Sequence, residues 1–144
     1  MTFSKSFGYA VSGILYVALH TSRERNIQLG EIARTLNAPR YFLAKVMEKI
    51  VKEGYLDSAK GHSGGFSINQ KTLDTTLMSV AVLTGELNDM FSCILRFQSC
   101  NNKKPCPLHH TVEPLRTEWN NFLTTTQFKH LIDGRSKILL NNIS

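Results

Sequence analysis

The sequence predicts a mainly α-helical chain with one small β-hairpin and a long C-terminal helix. Three observations predict this fold class. Apolar residues recur at helical spacing through most of the chain, two short β-prone runs flank a glycine-rich loop at residues 60–65, and apolar residues near the C-terminal end repeat at alternating steps of four and three. The length of 144 residues is the usual size of one domain, and 42% apolar residues suffice for a buried core.

The N-terminal half contains three predicted helices. The first covers about Gly8–Thr21, where the apolar residues form a stripe. The second starts near Leu29 and is broken before Pro39, because proline cannot continue the helical hydrogen-bond ladder. The third covers about Arg40–Glu53 and is closed by Gly54 as a C-terminal cap. The residues expected on its inward face are Leu43, Val46, Met47 and Ile50.

A β-hairpin is expected directly after the third helix. Tyr55–Ala59 and Phe66–Ile68 are short extended runs on either side of the glycine-rich loop. Three helices followed by a hairpin is the element order of a winged helix-turn-helix. We therefore expect residues 1–74 to form a DNA-binding unit of that kind, with the loop as its wing.

Residues 75–144 form the second expected part of one compact domain. They include a fourth helix, about Thr75–Leu87, and a final long helix, about Pro107–Thr126. The apolar spacing in the final helix is that of a coiled-coil seam, so we expect this helix to pair with a second copy. Packing against its own core is the alternative. The expected dimerisation residues are Leu108, Val112, Leu115, Trp119 and Phe122.

The chain is basic, with 17 Lys and Arg against 11 Asp and Glu, a formal net charge of +6 and an isoelectric point near 9.4. This balance favours a polyanionic partner, nucleic acid before an anionic membrane, and a solvated basic surface is the alternative.

No stretch approaches the ~20 apolar residues of a membrane span. The apolar segment Phe7–Leu19 lacks the cleavage site of a signal peptide. We expect a cytoplasmic protein without membrane contact, whose thiols stay reduced.

The third helix and the wing carry the predicted DNA contacts. Steps of four place basic residues and a tyrosine on or near one exposed face, and a helix fits the major groove, where Arg and Lys contact phosphates or guanine edges. Glycine in the wing permits close approach of the backbone to a phosphate. A solvated helix with a tight hairpin is the alternative. The predicted DNA-binding residues are Arg40, Tyr41, Lys45 and Lys49 on the helix and Lys60, Gly61, His62, Ser63 and Gly64 in the wing.

The wing also matches the G-x-S-x-G pattern of serine hydrolases at residues 61–65. That pattern needs a strand–turn–helix context in a large sheet, whereas a β-prone run follows it here. The sequence also has no paired carboxylates at a recognisable catalytic spacing and no phosphate-binding glycine loop before a helix. We therefore do not expect an enzyme.

Three cysteines, Cys93, Cys100 and Cys106, lie within fourteen residues and indicate a metal site, because thiolates are strong ligands for soft metals. Zinc sites usually contain closely spaced cysteine pairs, whereas gaps of six and five residues suit a loop around an iron–sulfur cluster. His109, three residues after Cys106, is the candidate fourth ligand, ahead of His110. A zinc site, a thiol redox switch and three bystander cysteines are the alternatives.

The sequence resembles the Rrf2 family of winged-helix regulators over nearly its whole length. The resemblance rests on Ser4-Lys5 and Tyr9-Ala10-Val11 at the start, on the third helix with Gly54-Tyr55-Leu56, on the wing with Phe66, and on the cysteine trio with its following helix. It implies a homodimer that binds a palindromic operator in double-stranded DNA. It also implies a 2Fe–2S or 4Fe–4S cluster that modulates this binding by sensing redox state, nitric oxide or cluster supply.

The same resemblance assigns the cluster ligands and shows departures from the family pattern. The implied ligands are Cys93, Cys100, Cys106 and His109. The first cysteine gap is longer than in members with a histidine ligand. Gly8 stands where other members supply an aspartate ligand, and Ala44 stands where some carry a glutamate that tunes the choice of DNA site.

Overall fold

The computed structural model describes residues 3–21, 25–97 and 102–132. Its elements, in chain order, are α1 (Lys5–His20), α2 (Leu29–Thr35), α3 (Arg40–Lys52), β1 (Asp57–Ala59), β2 (Gly65–Ser67), α4 (Leu77–Thr84), α5 (Glu86–Met90), α6 (His109–Thr125) and α7 (Phe128–Ile132). Within these ranges no helix is both long and apolar enough to cross a membrane. The described chain is mainly α-helical with one small antiparallel hairpin, which confirms the predicted fold class.

Helix α1 begins three residues before its predicted start at Gly8. The N-cap is Ser4, whose hydroxyl oxygen accepts a hydrogen bond from the N–H of Phe7. Such a bond satisfies one of the amides that lack a partner at the start of a helix. The N–H of Ser4 in turn donates to Oε1 of Glu86 at 3.0 Å, which joins the start of α1 to α5.

One hydrophobic core joins the helices before the hairpin to those after it. Helix α1 packs against α3 and α4, and α4 packs against α6. The predicted inward face of α3 is confirmed, because all four of its residues are buried. Leu123 of α6 and Phe128 of α7 are fully buried in the same core. The C-terminal helices are therefore anchored on the N-terminal ones.

The hairpin is held against the helices by a third extended segment. Strands β1 and β2 pair with Asp57 opposite Ser67 and Ala59 opposite Gly65. Ile27, just before α2, forms an antiparallel bridge with Phe66 of β2. Strand β1 is shorter than its predicted run, and β2 begins one residue earlier than predicted.

The predicted fourth helix is two helices, α4 and α5, separated at Gly85. The φ of Gly85 is +78°, a left-handed conformation that glycine adopts without a Cβ penalty and that ends many helices. Helix α4 starts after Thr76, whose hydroxyl oxygen accepts from the N–H of Ser79. The prediction of one continuous helix across Gly85 was therefore wrong.

Helix α6 begins at His109, two residues after its predicted start, and contains Pro114 in its interior. The short helix α7 follows it and was not predicted. A bridge between Thr76 and Gln127 ties the connection between α6 and α7 to the start of α4. The end of α6 is thus fixed to the core, while its start adjoins the cysteine-containing segment.

Candidate DNA interface and cysteine site

A groove lies between α2, α3 and the hairpin, and we call it the wing groove. Three arginines line it: Arg25 from the segment before α2, Arg34 from α2 and Arg40 from the start of α3. Arg40 lies beside Gly30 of α2, where a Cβ would be 3.7 Å from the guanidinium group. An open groove with three guanidinium groups suits the phosphates and base edges of nucleic acid.

Glu31 also lines the wing groove and links α1 to α2. Its carboxylate accepts hydrogen bonds from the hydroxyl of Tyr16 at 2.8 Å and from Arg25 at 2.6 Å. Burial acts to raise the pKa of Glu31, but the hydrogen bonds from Tyr16 and Arg25 and the charge of Arg25 hold it below its ordinary value. Burial raises the pKa of Tyr16. Glu31 is thus a stabilised anion that holds the Arg25 guanidinium at the groove.

The predicted DNA contacts of α3 fall on two neighbouring faces. Arg40 lines the wing groove, whereas Tyr41, Lys45 and Lys49 form an exposed row at steps of four beside it. Tyr41 is 75% exposed, and Nζ of Lys45 lies 4.4 Å from the centroid of its ring, which is a cation–π contact. The structure therefore presents all four residues to solvent, with Arg40 facing the groove.

The wing presents residues 60–63 at the surface and buries Gly64. The N–H of Gly64 donates to the carbonyl of Gly61 at 3.0 Å and closes a tight turn. A Cβ on Gly64 would lie 2.3 Å from the carbonyl oxygen of Ala59, so the hairpin itself requires glycine there. At Gly61, φ is +99° and a Cβ would meet no described atom within 4 Å. Of these two glycines, Gly61 is the one that leaves its backbone open to a partner.

The cysteine site lies between the end of α5 and the start of α6. Cys93 is 4% exposed, Cys106 is half-buried, and neither forms a disulfide with another described residue. Their side chains are in hydrogen-bonding contact. The buried His109, first residue of α6, lines the same small cavity as both cysteines. Cys100, the remaining predicted ligand, lies outside the described residues.

The surroundings of Cys93 favour its thiolate form. A hydrogen bond from the backbone of Phe97 is the largest influence on the pKa of Cys93, and it lowers this pKa. The backbone of Leu95, the thiol of Cys106 and the charge of Arg116 act in the same direction, and burial opposes them without reversing the shift. Low-pKa thiols are better metal ligands and nucleophiles than ordinary cysteines.

The donor chemistry of this site fits an iron–sulfur cluster. Cysteine thiolates are the usual ligands of such clusters, and imidazole replaces some of them in known types. Within the ranges that the structure describes, no group of three or more His, Cys, Asp or Glu side chains is arranged to hold a metal ion. Cys93, Cys106 and His109 therefore line one cavity and offer suitable donors, but these three described side chains are not themselves arranged as a metal site.

Helix α6 has an apolar face that its own chain leaves exposed, and we call it the α6 seam. Leu108, Leu115 and Phe122 are one heptad apart and are 38%, 55% and 44% exposed. Apolar side chains at this spacing and exposure are typical of a helix that pairs with another helix.

The other two predicted seam residues are half-buried within their own chain. Val112 lines the cysteine cavity. The ring of Trp119 lies edge-on to the ring of Phe3, with 5.0 Å between their centroids. The α6 seam therefore borders both the cysteine site and the N-terminal segment.

Sequence reasoning missed three arginines at these sites. Arg25 and Arg34 reach the wing groove only through the way α2 and the hairpin pack beside α3, which no local pattern reveals. A signal existed for Arg116, because it lies seven residues after His109 and so shares a helix face with it. Its guanidinium lines the cysteine cavity and donates to the carbonyl of Ser92.

Three helices followed by a hairpin, with an exposed basic helix beside an arginine-lined groove, define a winged helix-turn-helix protein that binds DNA. Residues 3–134 match the Rrf2 family, described as iron-dependent transcriptional regulators. The chain belongs to the Rrf2 family.

Individual relatives agree with this assignment. A helix-turn-helix transcriptional regulator of Aquifex aeolicus is 35% identical over 141 residues, which cover 96% of each chain. IscR, a helix-turn-helix transcriptional regulator of Photorhabdus laumondii, is 24% identical over 127 residues, which cover 88% of this chain and 76% of the relative. The fold is similar to that of CymR, the global cysteine regulator of B. subtilis, with a TM-score of 0.71 at 17% identity, covering 92% of this chain and 96% of CymR.

Family membership confirms that the chain is a transcription regulator and not an enzyme. The serine of the G-x-S-x-G match, Ser63, lies at the exposed tip of the wing. Among the described residues no large sheet surrounds Ser63, since the sheet formed by β1 and β2 has two strands. The match is therefore part of a wing turn.

Proposed function

We propose that this protein is a homodimeric, cytoplasmic transcription regulator whose operator binding is modulated by an iron–sulfur cluster at the cysteine site. The observation that carries the proposal is the contact of Cys93 with Cys106 beside the buried His109, at the start of the helix that bears the α6 seam. The description of the family as iron-dependent supports the same conclusion. When bound, the cluster would supply iron chemistry that responds to oxidants, nitric oxide or cluster supply.

DNA is the partner that the N-terminal half would bind. Helix α3 enters the major groove of a palindromic operator, with Arg40 and Tyr41 at its N-terminal end towards the base edges. Lys45 and Lys49 follow on the exposed row, where their ammonium groups reach phosphates. Lys60 extends the positive charge into the wing, beside the open backbone of Gly61.

Helix α6 would connect the cysteine site to the DNA-binding half. Arg116 on α6 holds the carbonyl of Ser92, directly before Cys93, and the neighbouring Leu115 lies on the α6 seam. Helix α6 packs on α4, and α4 packs on α1 and α3. A cluster that binds one arrangement of the cysteine loop more tightly than another would shift the dimer towards that arrangement and so change the spacing of the two wings. The size of the shift is set by the difference between the two affinities.

The test is purification without oxygen, followed by iron and sulfide analysis, absorption spectroscopy and DNA binding. We expect a coloured protein with iron and acid-labile sulfide, and a several-fold difference in operator affinity between loaded and stripped protein, in line with typical couplings of ~1–3 kcal/mol. Alanine in place of Cys93, Cys100 or Cys106 should abolish the cluster and leave a folded dimer. Equal binding by loaded and stripped protein to every operator tried would exclude the cluster as the switch.

A thiol switch without a cluster is the second candidate, and the contact between Cys93 and Cys106 favours it. Peroxide would oxidise the two thiols to a disulfide, with two electrons and two protons passing to the oxidant to give two waters. Cys100 separates the candidates. Its replacement by alanine should remove a cluster-dependent response but preserve a response that depends on a Cys93–Cys106 disulfide, which peptide mass spectrometry would detect. Zinc without acid-labile sulfide in the isolated protein would exclude both the iron–sulfur switch and the disulfide switch.

A further inference from the structure

The extended segment before α2 pairs with β2 through one antiparallel bridge. The N–H of Ile27 donates to the carbonyl of Phe66 at 2.9 Å, and the N–H of Phe66 donates to the carbonyl of Ile27 at 2.7 Å. Gly65 permits this approach, since a Cβ there would lie 2.5 Å from the carbonyl oxygen of Ile27. The pairing fixes the base of the hairpin but does not reach the tip.

Two amide side chains from this segment hold the tip of the wing. Nδ2 of Asn26 donates to the carbonyl of Ser63 at 3.3 Å, and Nε2 of Gln28 donates to the carbonyl of His62 at 3.2 Å. These two bonds place the side chains of Asn26 and Gln28 on the wing side of the segment, while Ile27 between them is fully buried. Successive carbonyls at the tip are thus bonded to one segment of the chain.

Gln28 occupies a position that usually serves another purpose. It is the N-cap residue of α2, where Ser, Thr, Asp and Asn are preferred because their short side chains accept from the first amides of the helix. Among the described residues, the Gln28 side chain makes no such capping bond and instead reaches across to His62. Helix capping therefore does not explain a glutamine here, whereas bonding to the wing does.

We propose that Asn26 and Gln28 are positioning residues for DNA binding, which hold residues 62–63 of the wing at a fixed distance from α3. The inference rests on the proposed contact of the wing with DNA. A loop that is already ordered loses less conformational freedom when it binds, so the two amides should raise affinity without touching DNA. They also connect the turn before α2 to the wing, and both of these segments line the wing groove.

The test compares Gln28→Met, Asn26→Ala and the double variant with Gln127→Ala. Methionine retains the length of glutamine without a donor or a charge. Gln127 is the matched control, because its Nε2 also donates to a backbone carbonyl, that of Asp74, at 3.0 Å.

Hydrogen exchange of the amides at 60–64 is measured without DNA, and operator affinity is measured separately. The double variant should exchange faster at the wing and bind the operator about two- to tenfold more weakly, the range of one net hydrogen bond, and Gln127→Ala should change neither.

Unchanged exchange at the wing in the double variant overturns the inference, because the amides then do not order the tip. Faster exchange with unchanged operator affinity overturns it as well. In that second case Lys60→Ala identifies the cause: if it also leaves affinity unchanged, the proposed wing contact with DNA has failed, and if it weakens binding, only the positioning role has failed. A lower thermal stability of the whole protein is excluded as the cause by comparing exchange in the core of α3.

Discussion

Nε2 of His109 lies 3.5 Å from Oε2 of Glu113, one turn further along α6, although the imidazole is almost fully buried and the carboxylate is exposed. Histidines that bind metals commonly direct their other ring nitrogen to a carboxylate, which fixes the orientation of the ring and strengthens the ligand. Glu113 is therefore the candidate for a carboxylate that would orient His109 as a ligand.

Replacing His109 by alanine should weaken the iron–sulfur cluster or change its absorption spectrum, with a smaller effect than the loss of a cysteine. Glu113→Gln should act in the same direction, because the amide orients the imidazole less well; effects of such outer partners are about 10- to 100-fold in metal affinity. Cluster retention is measured as iron and sulfide per chain during timed exposure to a chelator. The exposed neighbour His110, replaced by alanine, is the control. Equal retention in His109→Ala and the unmodified protein would remove His109 from the ligand set.

Lys60→Ala should weaken binding to all DNA sequences about equally. Each phosphate contact contributes about −0.9 to the slope of log affinity against log salt, so loss of one contact should make the slope shallower by about 1. Arg40→Ala should instead relax preference at one base position. Lys129→Ala, which removes the same charge from α7 at a site bonded to Asp74, should leave the slope unchanged. A slope of log affinity against log salt near zero in the unmodified protein would contradict the proposal that this basic surface binds DNA.

Leu115→Asp should convert the dimer to monomers and abolish tight operator binding, because two half-sites must be held one helical turn apart. Leu115 is 55% exposed in the single chain, so a charge there should disturb pairing more than folding. Sedimentation analysis measures the mass, and circular dichroism checks the fold. Thr117→Asp places the same charge on an exposed position almost opposite on α6 and should remain dimeric. A monomeric unmodified protein at micromolar concentration would refute the α6 seam as a dimer contact.

Glu31 should make the stability of the fold depend on acid pH. Its pKa is lower in the folded chain than the ordinary value, so the folded state binds the proton less tightly than the unfolded state. The stabilisation is therefore complete above the ordinary carboxyl pKa and is lost as the pH falls through the lowered pKa. Urea unfolding should show a difference between Glu31→Gln and the unmodified protein that is large at neutral pH and shrinks in acid. Tyr16→Phe, which removes one donor to Glu31, should lose part of the same stabilisation. A difference that stays constant with pH would show that the charge of Glu31 is not responsible.

The order of the elements could be predicted from the sequence because helical spacing, proline and glycine act locally. The bounds of α3 differ from the prediction by one residue, since Pro39 and Gly54 mark both ends. Gly85 is the same kind of signal as Gly54, but the predicted fourth helix continued through it. The apolar pattern continues across this glycine, and only its left-handed φ ends the helix there.

Site residues that are close in sequence could be predicted, whereas those brought together by packing could not. Cys106 and His109 are close in sequence, so spacing alone placed them together. Arg25 and Arg40 are fifteen residues apart and face the same groove only because the elements around it pack together. The sequence predicted that the lack of a Cβ at Gly64 lets a phosphate come close to the backbone. In the structure, the group that leaves no room for a Cβ at Gly64 is the carbonyl of Ala59. Side chains brought together by packing leave no periodic signal in the sequence.

Pro114 interrupts the hydrogen-bond ladder of α6. Proline has no amide hydrogen, so the bond that this position would have made to the carbonyl of His110 is missing from the ladder. The turn that begins at His109 is consequently joined to the rest of the helix by one hydrogen bond fewer than elsewhere. Leu115 and Phe122 lie beyond this point, whereas Leu108 lies before it. Pro114 therefore divides α6 into a short N-terminal part beside the cysteines and a longer part that ends in the core.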